Sequence, residues 1–367
     1  MIHHDALGAL AEIDHYFKMK PESIGDPDIY LGAKLRQYHV TEDIVCWSMS
    51  SSKYIQECVK NARNYLKEKG KPGLPRRAPT PFPPGYRPEL DTTPELDSEG
   101  VTDFQSHIGI LRWVCELGRL DILTEVSMLS TQMAAPREGH LEVIWHIYAY
   151  LSAKHNARIV FDPTYPDIDE SQFVKHDWTS MYGDVKEEIP PNMPEPRGRE
   201  VETRMYVDAD HATDKVTRRS RSGHLIYLNR APIVWYSKRQ ATLEAGVFGA
   251  EFVSMKQGVE AVRALRYKLR MMGVPVTEPT FVYGDNMSVI HNTTKPESTL
   301  KKKNISICYH FVREAVAMGE ILIAHIPSTE NPADCFTKVL PGGRKREYLM
   351  EKLLPDLYAE HSEPPLE

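Results

Sequence analysis

Along this chain the spacing of apolar positions changes character several times, and each change marks a region. Near the start, Leu7, Leu10, Ile13 and Phe17 fall at helical steps, and a strand is predicted around Asp28-Ile29-Tyr30-Leu31-Gly32. Tyr54, Cys58, Ala62 and Leu66 then place an amphipathic helix ahead of Gly70. From Asp103 to Asn156 the pattern is helical. Ile108, Leu111, Val114 and Cys115 share a face there, and a helix over His140 to Leu151 follows the helix-starting Pro136. After Arg204 the period shortens. Met205-Tyr206-Val207, Leu225-Ile226-Tyr227-Leu228 and Ile233-Val234-Trp235-Tyr236 read as three strands of an antiparallel meander, the last two separated by Asn229-Arg230-Ala231-Pro232.

The clearest helix follows. Phe252, Met255, Val259, Val262, Leu265, Leu269 and Met272 recur at steps of three and four, a stripe closed by Gly273 and Pro275. A strand at Phe281-Val282-Tyr283 leads into Gly284-Asp285, a helix runs from Ile307 to Met318, a strand covers Ile321 to Ile326, and a short helix begins near Pro332. The expected order is βββαβαβα.

Two stretches break these patterns. Lys71 to Pro94 carries eight prolines, and Pro163 to Glu200 combines Pro190, Pro191, Pro194 and Pro196 with many acids. Proline fixes φ and removes a backbone donor, so both read as linkers. The resulting division is 1–70, a linker at 71–98, a helical region at 99–160, a linker at 161–202, a β/α region at 203–340, and a C-terminal helix and tail at 341–367.

A chain of 367 residues, 41% hydrophobic and 26% charged, is long enough for two or three packed domains and excludes a globally disordered polymer. No apolar run approaches the roughly 20 residues of a membrane helix, and Met1-Ile2-His3-His4-Asp5 lacks the basic-then-apolar order of a secretion signal. Cys46, Cys58, Cys115, Cys308 and Cys335 are odd in number and never form a C-x-x-C pair, so neither a disulfide framework nor a zinc site is expected. The charge is uneven. Arg204 to Arg346 holds 22 basic against 13 acidic side chains, in a chain whose total is −6. Such a region suits a polyanion, since cations that neutralise phosphates release counterions; a merely solvated basic surface has the same composition.

Against that basic background, a few acids sit at element ends, where sheet folds build sites. Asp208 closes the first strand, Asp285 closes the fourth, Glu251 begins the long helix, and Asp334 begins the last. Taken singly, each acid is also what a helix cap or a turn uses. If the first and fourth strands are neighbours, Asp208 and Asp285 lie side by side and the helix brings Glu251 to them. Crowded carboxylates need cations, and hard oxygen ligands suit Mg²⁺ or Mn²⁺. Two such ions roughly 3.5–4 Å apart activate water against a phosphodiester.

The runs VDADHATDKVTRRSRSGHLIYLNRAPIVWYSKRQATLEAGVFGAEF, YGDNMSVIHNT, KKKNISICYHFVRE and NPADCFTK resemble, in order and spacing, the ribonuclease H domain that ends copia-type LTR retrotransposon polyproteins. The segment from Phe104 to Asn156 is similar to the helical connection between polymerase and nuclease in that family, and Tyr30-Leu31-Gly32 to the block that follows the polymerase palm. The resemblance implies an α/β (α+β) chain: a ribonuclease H-like mixed five-stranded sheet flanked by helices, preceded by a mainly helical thumb and connection. It assigns 1–70 to the palm end and thumb, 99–160 to the connection and 203–340 to the nuclease. It also implies a tetrad of Asp208, Glu251, Asp285 and Asp334 holding two Mg²⁺ ions, with Mn²⁺ as a substitute. Its implied reaction is hydrolysis of the RNA strand of an RNA·DNA hybrid, within a retrotransposon particle in the cytoplasm or in the nucleus, with the rest of the polyprotein as a partner. Asp210 and Asp214 match family positions and are read as supporting or turn residues. Reverse transcriptases carry two adjacent aspartates, this sequence has no Asp-Asp pair, and DNA synthesis is not expected from it.

Some positions depart from the family pattern. Asn304 stands where His is common, and the usual T-E-A-E-Y reads Phe248-Gly249-Ala250-Glu251-Phe252. His325 lies in a strand and is read as structural, His310 as a satisfied core histidine, Trp235 as core, and Cys308 and Cys335 as small buried hydrophobes. For substrate, Arg218, Arg219, Arg221, Lys238, Arg239, Lys301, Lys302 and Lys303 are candidates for backbone phosphates, and Asn286 and Ser288 for sugars or base edges. No G-x-x-x-x-G-K-[ST] loop points to an ATPase. A second reading keeps the basic face and discards turnover, leaving a non-catalytic relic or nucleic-acid-binding module; a third makes the helical region a scaffold for a partner chain.

Overall fold

The computed structural model describes residues 6–20 and 25–358. A first helix, α1 (Ala6–Tyr16), precedes three strands, β1 (Ile29–Tyr30), β2 (Ala33–His39) and β3 (Val45–Ser50), and helix α2 (Ser52–Glu68). Three helices follow, α3 (Ser98–Glu116), α4 (Leu123–Leu129) and α5 (Glu138–Ala153), then β4 (Ile159–Val160) and the single turn α6 (Thr179–Tyr182). The last region runs β5 (Thr203–Asp210), β6 (Arg221–Leu228), β7 (Ala231–Arg239), α7 (Val247–Met271), β8 (Thr280–Gly284), α8 (Met287–Thr294), α9 (Ser306–Ala317), β9 (Ile321–His325), α10 (Asp334–Thr337) and α11 (Arg344–Leu353).

In the first half, α2 turns Ile55, Cys58, Val59, Ala62 and Leu66 onto a core shared with Ile108, Leu111 and Val114 of α3 and Ile144, Ile147 and Leu151 of α5. The Asp97 carboxylate accepts from the Gly100 N–H at 2.8 Å and so starts α3. Where one strand was expected before α2 there are three, and with β4 they form a four-stranded antiparallel sheet in the order β1-β2-β3-β4. The seven residues of β2 bury Ala33 alone, so they lack the apolar alternation by which a strand is read from sequence. Ile13 of α1 and Phe17 just after it are exposed, and the side chains of Leu7 and Leu10 lie outside the described residues.

The two proline-rich stretches avoid long helices but are packed straps, not free linkers. In the first, Phe82 is buried in the helical core and the Pro88 carbonyl faces His140 Nε2 at 2.8 Å. In the second, Phe173 packs edge-on to Phe281, and Glu187 receives both Arg266 and Arg270 of α7. Proline's loss of a backbone donor excludes regular structure without excluding burial, and composition alone cannot separate the two.

The second sheet is mixed and five-stranded, ordered β7-β6-β5-β8-β9, with the meander antiparallel and both β5–β8 and β8–β9 parallel. Helices flank it on both faces, which is the ribonuclease H-like α/β architecture implied by the resemblance. On one face α7 seats Phe252, Met255, Val259 and Val262 against Met205, Val207, Ile226 and Val282. Its stripe ends earlier than expected: Met272 is the C-cap and is 74% exposed. The other face, with Leu225 and Tyr227, is covered by Phe336 of α10, Leu349 and Leu353 of α11, and Met49 and Ile159 of the first sheet. The two halves therefore share a core. Pro232 sits in the edge strand β7 beside a bulge at Ile226/Tyr227, a position that needs no ladder donor. Helix α8, absent from the expected order, is capped by the Asn286 side chain, which accepts from Ser288 N and Val289 N.

Candidate metal centre

The parallel pairing of β5 with β8 puts Tyr206 opposite Tyr283, so Asp208, which lies two residues inside the end of β5 instead of closing it, and Asp285, just past β8, stand on neighbouring strands. Helix α7 starts beside them, and Glu251 is in its second turn. Oxygens of Asp208, Glu251 and Asp285 come within 4.8 Å of one another. Three anchors set this geometry. Ser254 donates to the Asp208 carbonyl at 2.6 Å, buried Gln240 donates to the Ala250 carbonyl at 2.8 Å, and buried Asn331 donates to the Val207 carbonyl at 3.0 Å.

Asp334 approaches from the opposite side on α10. It stands outside the three-acid cluster but close to Asp208, because α10 lies almost on the backbone of β6. The strand residue paired with Asp208 is Gly223, where a Cβ would come within 2.8 Å of Phe336 Cβ and Thr337 Cγ2. The Thr337 hydroxyl donates to Asp208 Oδ2, and Lys338 Nζ bridges Asp334 Oδ1 and Asp208 Oδ2, the latter at 3.3 Å. Lys345 takes the other oxygen of Asp334.

Burial and crowding control the protonation of these acids. Asp208 is pushed up to about 7 by burial, with Asp334 and Asp285 adding to the rise and Lys338 and Thr337 opposing it. Glu251 is held well above the usual carboxylate range by burial, then by Asp208 and Asp285. These are buried oxygens without enough positive charge around them, a hard-ligand set that fits Mg²⁺ or Mn²⁺. The departure at Gly249 has a structural counterpart. The buried Glu244 carboxylate lies 2.6 Å from where a Cβ on Gly249 would sit, and Asn304 Nδ2 donates to the same oxygen at 3.2 Å.

The candidate substrate residues divide. Arg218, Lys238, Ser288, Lys301, Lys302 and Lys303 are exposed, and Lys302 lies over the Phe248 ring. Arg219 and Lys238 line a groove of about 650 Å³ between β7 and helices α3 and α4, to which Arg112, Ser127 and Trp235 contribute. Arg221 requires correction: it is buried, donates to Ser127 and Ser237, and fastens the two halves instead of facing solvent. Arg239 is paired with Asp214, whose carboxylate also caps the turn at Thr217. The Asn286 oxygen is engaged in its helix cap. His310, expected in the core, is exposed and meets the Tyr182 hydroxyl at 2.8 Å. Trp235 and Cys308 are half-buried, Cys335 is buried, and His325 ends β9, exposed. Reasoning from sequence missed Thr337, Lys338 and Lys345. The signal for Lys338 was its i, i+4 spacing from Asp334, which folds a long side chain back over an acid one turn earlier.

No family model matches the chain. Its curated homologues are Pol polyproteins of copia-type transposons. The retrovirus-related Pol polyprotein from transposon RE1 of Arabidopsis thaliana is 27% identical over 261 residues, 71% of this chain and 15% of that protein. The counterpart from transposon TNT 1-94 of Nicotiana tabacum is 24% identical over 250 residues, 68% of this chain and 16% of that protein. The chain thus spans about 15% of the length of the curated relatives it matches. Among solved structures, RNase H1 of Halobacterium salinarum aligns at 14% identity over 38% of this chain and 95% of its own, with a TM-score of 0.29. A foamy viral protease-reverse transcriptase in complex with double-stranded DNA aligns at 10% identity over 87% of this chain and 46% of its own, with a TM-score of 0.38. At those scores the alignments add nothing to the strand order and helix placement, which by themselves describe a ribonuclease H-like domain.

Proposed function

We propose that this copia-related chain is a divalent-cation-dependent ribonuclease H that hydrolyses the RNA strand of RNA·DNA hybrids. The observation that carries the reading is the convergence of Asp208, Glu251 and Asp285, distant in sequence, on one buried cluster at the ends of two parallel strands. Asp208 and Asp285 would hold the cation against the scissile phosphate, Glu251 would complete its shell and orient the attacking water, and Asp334 would act from the far side of Asp208. When bound, divalent ions supply a more acidic water and offset the charge of the leaving oxygen. Thr337 fixes the Asp208 carboxylate, and Asn331 and Ser254 hold the backbone on either side of it.

Hybrid would approach over the exposed cations Arg218, Lys238 and Lys301 to Lys303, with the β7 groove and its Arg112 and Arg219 as a second wall for backbone phosphates. The polyprotein of the relatives would be the natural context, and DNA synthesis is not expected from a sequence without paired aspartates. The test is cleavage of a fluorescent RNA·DNA hybrid by the purified chain in Mg²⁺, with Asp285→Asn alongside. Cleavage of the RNA strand by the parent and not by the variant supports the reading. Hybrid binding without cleavage by the parent would instead establish the non-catalytic binding module.

A further inference from the structure

The four acids are not treated alike by their surroundings. Asp208, Glu251 and Asp285 share one cluster, and no basic side chain is in ion-pair contact with Glu251 or Asp285 among the described residues. Asp334 is the reverse case, with Lys338 on one oxygen and Lys345 on the other. Lys338 also reaches Asp208 at 3.3 Å, so its ammonium is shared by the two carboxylates. In the two-ion reading Asp334 would complete the shell of the second ion, with Asp208 shared between the two, and that is where this ammonium lies.

We propose that the Lys338 ammonium occupies the second cation position, so that the free protein takes a single divalent ion, at Asp208, Glu251 and Asp285. Charge supports the assignment. Lys345 balances Asp334, and the Lys338 ammonium takes the three charges of Asp208, Glu251 and Asp285, ionised when metal binds, down to two, which one divalent ion neutralises. Without Lys338 those three charges exceed what one divalent ion neutralises. Packing supports it as well. Lys338 is the C-cap of the α10 turn, its N–H bonded to the Asp334 carbonyl at 3.0 Å, and that turn is pressed onto Gly223 with Phe336 and Thr337 buried. The backbone that delivers the ammonium is thereby held by the core, and the side chain needs only the i, i+4 reach to arrive.

This inference rests on the divalent-centre reading of the three acids, and its test separates the two. MnCl₂ is titrated calorimetrically into the full, nucleic-acid-free chain, and the low-temperature electron paramagnetic resonance spectrum is recorded at saturation. The parent should bind one Mn²⁺ with an isolated-ion spectrum. Lys338→Met should bind two, with the splitting of a coupled pair, and Lys338→Arg, which keeps a cation in place, should bind one. Two ions on the parent, or one on a folded Lys338→Met, overturn the role of Lys338 and leave the centre standing. No Mn²⁺ on either protein removes the centre itself. Should Lys338→Met not fold, Lys338→Gln serves in its place, and the parent's own stoichiometry still decides.

Discussion

Asp121 and Asp208 are each 1% exposed, yet the protein does opposite things with them. Asp121, at the start of the segment leading into α4, accepts two bonds from the buried Arg119 guanidinium, at 2.8 and 2.6 Å, and a third from the Tyr150 hydroxyl at 2.8 Å. Burial works to raise its pKa, and these partners outweigh burial and hold it below the usual range. Asp208 has a hydroxyl, a shared ammonium and two like charges for company, and burial wins. Equal burial therefore separates a structural charge, matched inside the chain, from one left for something the chain does not contain.

The comparison is broken most directly by removing one acid from each site. Asp285→Asn should lower hybrid cleavage by about a thousandfold or more, the several kcal/mol that metal-held charge supplies to the transition state, with little change in the unfolding midpoint. Asp121→Ala should do the converse. It leaves the buried Arg119 guanidinium without its partner, at a cost of about 3–5 kcal/mol in urea unfolding. The residual folded protein should still cleave. A large stability loss at Asp285 or intact stability at Asp121→Ala would show that the two acids had been sorted wrongly.

How far this contrast was readable before the structure depends on what each residue advertises. The five-stranded sheet and its long helix were legible because Phe252, Met255, Val259 and Val262 repeat at the helical period and the meander strands are runs of aliphatic and aromatic residues. The three inner acids were legible because they stand near the ends of elements whose order suggested that the first and fourth strands were neighbours. The first sheet was not, since β2 buries Ala33 alone. Arg221 was misread as a surface cation because nothing local marks a basic residue that a helix from another region, through Ser127, will cover. Lys338 was overlooked for a related reason. A lysine next to a motif reads as solvated unless the backbone contact that aims it is known, and that contact is made at Gly223, over a hundred positions earlier in the chain.

The same comparison has a pH signature in protein stripped of metal by chelator. With a folded value near 7 against an ordinary value near 4, Asp208 is protonated in both states at low pH. Between those values the unfolded chain has lost the proton and the folded chain still holds it. Stability from this group therefore falls as pH rises from about 4 to 7 and is flat above. Urea midpoints of the parent and Asp208→Asn should diverge across that window, the parent losing ground. Saturating Mg²⁺, which binds the ionised form, should turn the slope upward. Parallel midpoints in chelator would mean that Asp208 is not under strain from its buried charge.

The smallest expected effect lies with Lys345, and it tests whether contact with an acid suffices to make a lysine part of the centre. Its side chain is 44% exposed, and among the described residues it approaches, besides Asp334, only the Ser328 carbonyl, at 3.4 Å. Water and salt reach its ammonium and weaken the pair, although the Asp334 carboxylate is buried. Lys345→Met should consequently change hybrid cleavage by less than about fivefold and leave the Mn²⁺ stoichiometry at one, because Lys338 still stands between Asp208 and Asp334. Cleavage and ion count can be read on the same preparation. A loss as deep as that of Asp285→Asn would place Lys345 within the charge balance of the centre; a second ion appearing in this variant would shift the role assigned to Lys338 onto its neighbour, despite that neighbour's greater exposure.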